Sequence, residues 1–423
     1  MYNYTNYFEK YGRIMQFNKN KTIPFHRWYP FVEGYSKEFI HSIISEVDKD
    51  NIICLEPFSG SGTTALELQK MGIKCYSFEV NPLMYLVAKT KLESHYDLNR
   101  VKYWYNYIYN NRKMESIILS SEFQTLYEGN GKKKWNFNES AGLAVEKLRI
   151  TIKSINEPVY RELFMVALAA ILLDVSNLYR NGKCLSYKKD WKKKKITQED
   201  VFRKFDDKVF NELMADIKNA NLTTEVDNKD TLFFGDARVY IDKKIMDDSI
   251  DLVITSPPYL NSRDYTDTYM LEIKALGFVH NNDEIRKIRE KTLRSHVQIK
   301  WKDTTRLENT RLQNLLEMLE MAEKEMGTWN VCIIDMIRLY FVDMKKIFSA
   351  MYKKLKVGGK VFFNVSNSAY YNVKVDTLEI CASIAETEGF IIEEIRKARL
   401  LKTSPQQQEV VGKLLEGVIV MRK

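Results

Sequence analysis

The sequence has no Cys-x-x-Cys pair, no histidine cluster at metal-ligand spacing, no phosphate-loop Lys-Ser/Thr ending and no proline-cysteine step. Each absence removes a class of chemistry. The five cysteines, Cys54, Cys75, Cys184, Cys332 and Cys381, are scattered, which argues against a zinc framework and predicts reduced thiols, no metal and a cytoplasmic setting. Apolar runs are short. The longest, Leu163 to Leu173, falls well below the ~20 residues that span a bilayer, so it is predicted to be a buried helix and no membrane partner is expected. The opening stretch from Met1 to Arg13 is polar and aromatic, without the apolar core of an export signal. With 8 prolines and 17 glycines in 423 residues, long disordered linkers are not expected. The length suits one large domain with insertions, or two domains.

What is present is an excess of base, 65 Lys and Arg against 56 Asp and Glu, which suits an anionic partner such as nucleic acid. From Asn51 the chain reads as a strand, a glycine-rich turn and a helix, followed by a second strand at 74–80. Such a unit, with its right-handed crossover, nucleates a doubly wound parallel sheet. Further strands are predicted at 231–236, 251–255 and 360–365, the last after a helix-ending turn at Lys356-Val357-Gly358-Gly359. Two final strands, in 389–400 and 416–423, are predicted as an antiparallel hairpin at the sheet edge. The fold class is therefore α/β, Rossmann-like, with helical insertions. The core is expected in three pieces, 1–94, 226–278 and 331–423, separated by a basic helical insertion at 95–225 and a charged helical insertion at 279–330.

In Glu56-Pro57-Phe58-Ser59-Gly60-Ser61-Gly62-Thr63-Thr64, glycines between strand and helix let the backbone approach a ligand where a side chain would obstruct it. Glu79, at the end of the second strand and just before Val80-Asn81-Pro82, can accept both hydrogen bonds of a ribose diol. Asp236 can accept from an adenine amino group or cap the following turn. Thr255-Ser256-Pro257-Pro258-Tyr259 directly follows an apolar strand and holds two of the eight prolines. Consecutive prolines stiffen the backbone and remove two amide donors, leaving carbonyls free to accept in a pocket. A carbonyl and the Ser256 hydroxyl can then grip an amine and favour a tetrahedral nitrogen able to attack an electrophilic methyl. Tyr259 offers a face for a base, worth ~1–3 kcal/mol of stacking.

On these residues the chain resembles the amino-methylating DNA methyltransferases, of the kind found in type II restriction–modification systems. Glu56 to Thr64 matches that family's cofactor loop, and Ser256-Pro257-Pro258-Tyr259 its catalytic tetrapeptide. Phe25-His26-Arg27-Trp28-Tyr29-Pro30 with Tyr35-Ser36 resembles the upstream cofactor motif, and Leu355 to Gly359 the later strand turn. The resemblance implies S-adenosylmethionine as cofactor, held by Trp28, Tyr29, Glu56, Pro57, Phe58, Ser59, Gly60, Ser61, Gly62, Thr63, Glu79, Asn81 and Asp236. It implies Ser256, Pro257, Pro258 and Tyr259 as catalytic residues. Serine at the first catalytic position resembles cytosine-N4 enzymes more than adenine-N6 ones. Glu56 departs from the commoner Asp, and the large insertion before Asp236 fits the family's usual order only loosely.

A carbon-5 cytosine mechanism needs a cysteine nucleophile after proline, so direct transfer is the consistent chemistry. No histidine base is required, and His26 and His296 are expected to be structural. The partner implied is double-stranded DNA, with a monomeric enzyme protecting sites from an endonuclease that it does not stably bind. Lysines interleaved with aromatics make Lys133, Lys134, Lys188 and Lys189 candidates for phosphate contact. Arg263, Arg289 and Arg294 are candidates for base or backbone contact. Adenine-N6 methylation, guanine-N2 methylation of RNA, methylation of a protein glutamine amide and a non-catalytic DNA-binding regulator remain as alternatives.

Overall fold

Apolar residues run consecutively along the central strands, and because successive side chains point to opposite faces, one sheet lies between two apolar layers. The computed structural model describes residues 2–47, 51–113, 118–129, 131–182, 184–220, 225–403 and 407–423. Its strands are β1 (Tyr4–Asn6), β2 (Ile53–Glu56), β3 (Lys74–Glu79), β4 (Leu178–Asn181), β5 (Cys184–Tyr187), β6 (Leu232–Phe234), β7 (Ile250–Thr255), β8 (Leu355–Ser366), β9 (Ser368–Tyr370), β10 (Val373–Val375), β11 (Ile391–Leu401) and β12 (Leu414–Arg422). Eight of them form the main sheet in the order β1-β11-β12-β8-β7-β2-β3-β6. The run from β8 to β6 is parallel throughout, and β12 is antiparallel to both of its neighbours. The α/β, Rossmann-like fold is the one expected.

Cys54, Leu252, Ile254, Phe362, Val418 and Val420 face one layer, while Leu55, Val253, Val361, Phe363, Ile419 and Met421 face the other. Helices Thr63–Lys70 and Pro82–Leu92 pack with the first layer, and helices Ala237–Lys244, Ile333–Lys354 and Thr377–Thr387 with the second. The final hairpin forms, with β12 between β8 and β11 and β11 next to the edge, where β1 pairs with it through Tyr4 and Ile395 to make the rim. The composition explains this order. β12 carries the buried run Val418–Met421, whereas β11 carries Glu393, Glu394, Arg396 and Lys397 and suits a position near the edge. The turn expected at 356–359 is the start of β8, with an irregular register against β7 between Ile250 and Leu252.

The 95–225 region contains helices Leu98–Asn111, Glu139–Lys153, Pro158–Leu172 and Gln198–Lys208, and the run beginning at Leu163 is buried as expected. The region also contains the β4–β5 hairpin, in which Asn181 pairs with Cys184 and Gly182, at φ +62°, opens the turn. Trp104, Leu148, Leu163 and Phe205 share one buried cluster with Trp28, Leu66 and Leu252, so this region packs continuously with the sheet. Among the described residues, no helix is long and apolar enough to cross a membrane.

The 279–330 region contributes helices Asn282–Lys291 and Thr310–Met326 and is anchored by charge. Arg294 is 5% exposed and donates to Asp343 at 2.6 Å and to Asp303 at 2.5 Å; Arg238 donates to Asp343 at 2.6 Å. Asp343 is fully buried between two guanidinium groups, so removing it takes away their shared carboxylate and, among the described residues, leaves Arg294 only Asp303 and Arg238 only Asp236 as acidic partners. Asp343→Ala is expected to lower the unfolding free energy by about 3–5 kcal/mol, measured by denaturant titration; an unchanged midpoint would contradict the anchor.

Candidate active site

The carboxyl ends of the parallel strands open on one cavity of about 510 Å³. Its wall brings together Pro57, Phe58, Ser59, Gly60 and Thr63 after β2, Glu79 and Asn81 after β3, Asp236 after β6, and Ser256 to Tyr259 after β7. Residues nearly 200 positions apart in the chain thus meet in one place.

The glycine loop is shaped by contact as well as by conformation. Gly62 has φ +80° and opens helix Thr63–Lys70, and a Cβ there would lie 2.9 Å from the Ala88 Cβ. Gly60 has φ +52°, and a Cβ on it would lie 3.0 Å from the Phe31 ring. The Gly60 amide donates to Glu79 Oε2 at 2.7 Å and the Asn81 amide to Oε1 at 2.7 Å. Burial raises the Glu79 carboxyl to about 7, against the lowering effect of those amides. Asn81 caps helix Pro82–Leu92, and Asp236 caps helix Ala237–Lys244 while pairing with Arg238 at 2.7 Å. Asp236 therefore takes the capping role and also faces the cavity. Among the described residues the buried hydroxyls of Ser59 and Ser61 have no hydrogen-bond partner, and Ser59 lines the cavity. A close-approach glycine cradle, an unpartnered hydroxyl and a strand-end acid fit S-adenosylmethionine, whose ribose hydroxyls can use the remaining lone pairs of Glu79.

Trp28 and Tyr29, expected to hold the cofactor, do not line this cavity. Both are fully buried: Trp28 Nε1 donates to Asp216 at 2.9 Å, and Tyr29 Oη donates to Glu272 at 3.0 Å. Phe31, Glu33 and Tyr35 from the same segment reach the wall instead. Glu56, Ser61 and Gly62 do not line the cavity. His26 is buried and hydrogen-bonds Glu67 at 2.8 Å, and burial lowers its pKa to about 4.

Ser256, Pro257, Pro258 and Tyr259 all line the cavity. The loop is held by the Tyr265 hydroxyl, which accepts from the Tyr259 amide at 2.9 Å and from Asn261 Nδ2 at 3.0 Å. Tyr259 is half-buried, so its ring shares open space with the glycine loop. Asn364, Arg399 and Glu416 also reach this wall; motif reading missed them, because nothing local marks them.

The candidate DNA-contact residues separate into two groups. Lys133, Lys134 and Lys189 are exposed, and folding joins their two segments: Trp191 packs 5.0 Å from Trp135 and 4.9 Å from Tyr187, with Lys134 Nζ 5.4 Å from the Tyr187 ring centre. Arg263 is exposed beside Cys184 at the β4–β5 turn, 2.9 Å away. Lys188 is instead consumed by the carbonyls of Leu173, Asp174 and Ser176 at 3.2, 2.9 and 2.6 Å. Arg289 pairs with Asp264 at 2.5 Å and Asp267 at 2.6 Å. With Arg294 paired to Asp343, three of the cations expected at DNA, Lys188, Arg289 and Arg294, have internal partners.

No family model matches the chain. It is similar to the type II methyltransferase M.AvaI of Nostoc sp., 26% identical over 427 residues that cover 94% of this chain and 85% of that protein. It is also similar to the type II methyltransferase M.BsoBI of Geobacillus stearothermophilus, 26% identical over 459 residues that cover 97% of this chain and 86% of that protein. The type II methyltransferase M.MvaI of Kocuria varians is 24% identical over 246 residues, 56% of this chain and 54% of its own length. Likeness across nearly the whole chain supports a type II methyltransferase.

Glu56 ties the site together from behind. It accepts from Tyr35 Oη at 2.7 Å, Thr64 Oγ1 at 2.9 Å, the Phe58 amide at 3.0 Å and the Thr255 hydroxyl. Burial outweighs these donors and raises its carboxyl from an ordinary 4.5 to about 7. Between those two values the folded state holds a proton that the unfolded state has lost. Stability from the neutral carboxyl is therefore complete below pH 4.5 and is lost as pH rises through 7. Glu56→Gln is expected to flatten the fall in stability over this window by on the order of 1 kcal/mol per pH unit, read from denaturant midpoints. Equal slopes for both proteins would refute the assignment.

Proposed function

We propose that this chain transfers the methyl group of S-adenosylmethionine to the exocyclic N4 of cytosine within a short sequence of duplex DNA. Transfer is direct and follows extrusion of the base from the helix. The observation that carries this reading is that the glycine loop and Ser256-Pro257-Pro258-Tyr259 line the same cavity. The relatives' type II names support DNA as substrate, with the modified sites protected from a partner endonuclease. The enzyme acts as a cytoplasmic monomer and does not stably bind that endonuclease. A further likeness, in length and layout, to the BamHI modification methyltransferase has no motif of its own, so no recognition sequence is carried over from it.

Bound S-adenosylmethionine supplies an electrophilic methyl group. The backbone at Ser59 and Gly60 admits the methionine end closely, and Glu79 orients the ribose. Ser256 Oγ and the carbonyls beside the prolines accept from the amine, drawing its hydrogens out of the base plane and localising the nitrogen lone pair. Tyr259 stacks on the extruded base. The departing proton passes to Ser256 or to water. Serine at position 256 favours cytosine-N4 over adenine-N6. Lys133, Lys134, Lys189 and Arg263 are the exposed cations that contact phosphates around the target.

Reaction of the purified protein with unmethylated DNA, followed by digestion and mass analysis of nucleosides, is expected to give N4-methylcytosine; N6-methyladenine as the sole product would overturn the choice of base. Ser256→Ala is expected to reduce single-turnover transfer roughly 100-fold. A Lys133→Gln/Lys134→Gln/Lys189→Gln variant is expected to make the slope of log affinity against log salt shallower by ~0.9 per lost phosphate contact. An unchanged slope would remove these lysines from the interface.

A further inference from the structure

Tyr259 is held at both ends. Its amide is fixed by Tyr265, and its hydroxyl donates to Glu416 Oε1 at 2.6 Å while accepting from Asn364 Nδ2 at 2.7 Å. Glu416 is 1% exposed and stands directly opposite Arg399 in the β11–β12 ladder, where the Arg399 Nε donates to its other oxygen. Asn364 is 2% exposed on β8, and its buried Oδ1 has no hydrogen-bond partner among the described residues. The loop after β7 and three successive strands, β8, β12 and β11, thus converge on one phenol. Burial and the Glu416 carboxylate both hold that phenol in its protonated, donating form.

A buried carboxylate–guanidinium pair gains little over apolar packing once desolvation is counted, so stability alone gives a weak reason for placing one here. Its geometric consequence is specific. A tyrosine anchored only through its backbone samples several χ1 settings, whereas holding the phenol oxygen fixes where the ring lies, and an acceptor and a donor on that oxygen favour the ring plane in which its O–H and lone pair point at them. Glu416 and Asn364 line the same cavity as Ser256, so the plane they fix is the one an extruded base would meet.

We propose that Glu416, braced by Arg399 and assisted by Asn364, is a positioning residue for methyl transfer that fixes the Tyr259 ring as a rigid stacking platform. The inference rests on the DNA methyltransferase reading above and assigns Glu416 no contact with the reacting atoms. If Glu416 acts through the Tyr259 hydroxyl, its effect must vanish once that hydroxyl is gone.

The test is a double-mutant cycle on the full chain: wild type, Glu416→Gln, Tyr259→Phe and the double variant, each given unmethylated plasmid DNA and tritium-labelled cofactor in single turnovers, with cofactor affinity measured in parallel. Glu416→Gln is expected to slow transfer about tenfold with cofactor affinity unchanged, and to cost nothing further in the Tyr259→Phe background. Multiplying losses, or a wild-type rate for Glu416→Gln, would overturn the proposal. Should Glu416→Gln fail to fold with Arg399 left unpaired, Asn364→Val enters the same cycle with the same expected non-additivity. A wild-type chain that labels no DNA would remove the methyltransferase reading, and this inference would fall with it. An active wild type with multiplying losses would remove the inference alone.

Discussion

The Thr255 hydroxyl, at the end of β7, donates to the Glu56 carboxyl at the end of the adjacent parallel strand β2. This link fixes where two loops begin: the glycine loop from Pro57 and the diproline loop from Ser256. Parallel neighbours release their loops on the same side of a sheet, and a shared hydrogen bond at the last residues leaves little freedom in their relative height. Glu56 also accepts from Phe58 and Thr64, so the strand end, the loop and the first turn of helix Thr63–Lys70 are held by one carboxyl. The cavity is the space that this junction leaves open.

The acids around that space are handled in distinct ways. Asp236, Asp264 and Glu416 are matched by Arg238, Arg289 and Arg399. Glu79 is held by the backbone amides of Gly60 and Asn81. An acid held only by neutral amides retains acceptor capacity for a neutral diol, whereas an acid locked to a guanidinium is mainly scaffold. This contrast separates the ligand-facing carboxyl from the structural ones more clearly than position in the chain does. Outside the cavity, the exposed cations of the Trp135, Tyr187 and Trp191 cluster supply positive charge, and among the described residues Lys193 is the one of them beside a carboxylate, Asp190 at 3.7 Å.

The parts of the site that could be read from sequence are those whose geometry is local. A strand, a pair of glycines and a helix, or an apolar strand and two prolines, constrain their own backbones, and β2, β3, β6, β7 and β8 all lie at or within two residues of their expected places, apart from the early start of β8. Long-range choices were not legible. An aromatic such as Trp28 can line a cavity or fill a core with the same local pattern, and only Asp216, 188 positions away, decides. Arg294 reads as a candidate for DNA contact because its partner Asp343 lies 49 residues downstream. Asn364, Arg399 and Glu416 carry no motif and acquire meaning only when three strands align. The β4–β5 hairpin, with Gly182 in its turn, was obscured by the helical pattern around it.

The central claim is that a cofactor in the glycine loop and an extruded base over Tyr259 meet in this one cavity. A crystal structure of the chain with S-adenosylhomocysteine and a duplex carrying its recognition site tests it most directly. The account expects the homocysteine end beside Ser59 and Gly60, the ribose on Glu79, and a cytosine stacked on Tyr259 with its amine toward Ser256. A cofactor bound elsewhere, or a base held away from Ser256, would contradict it.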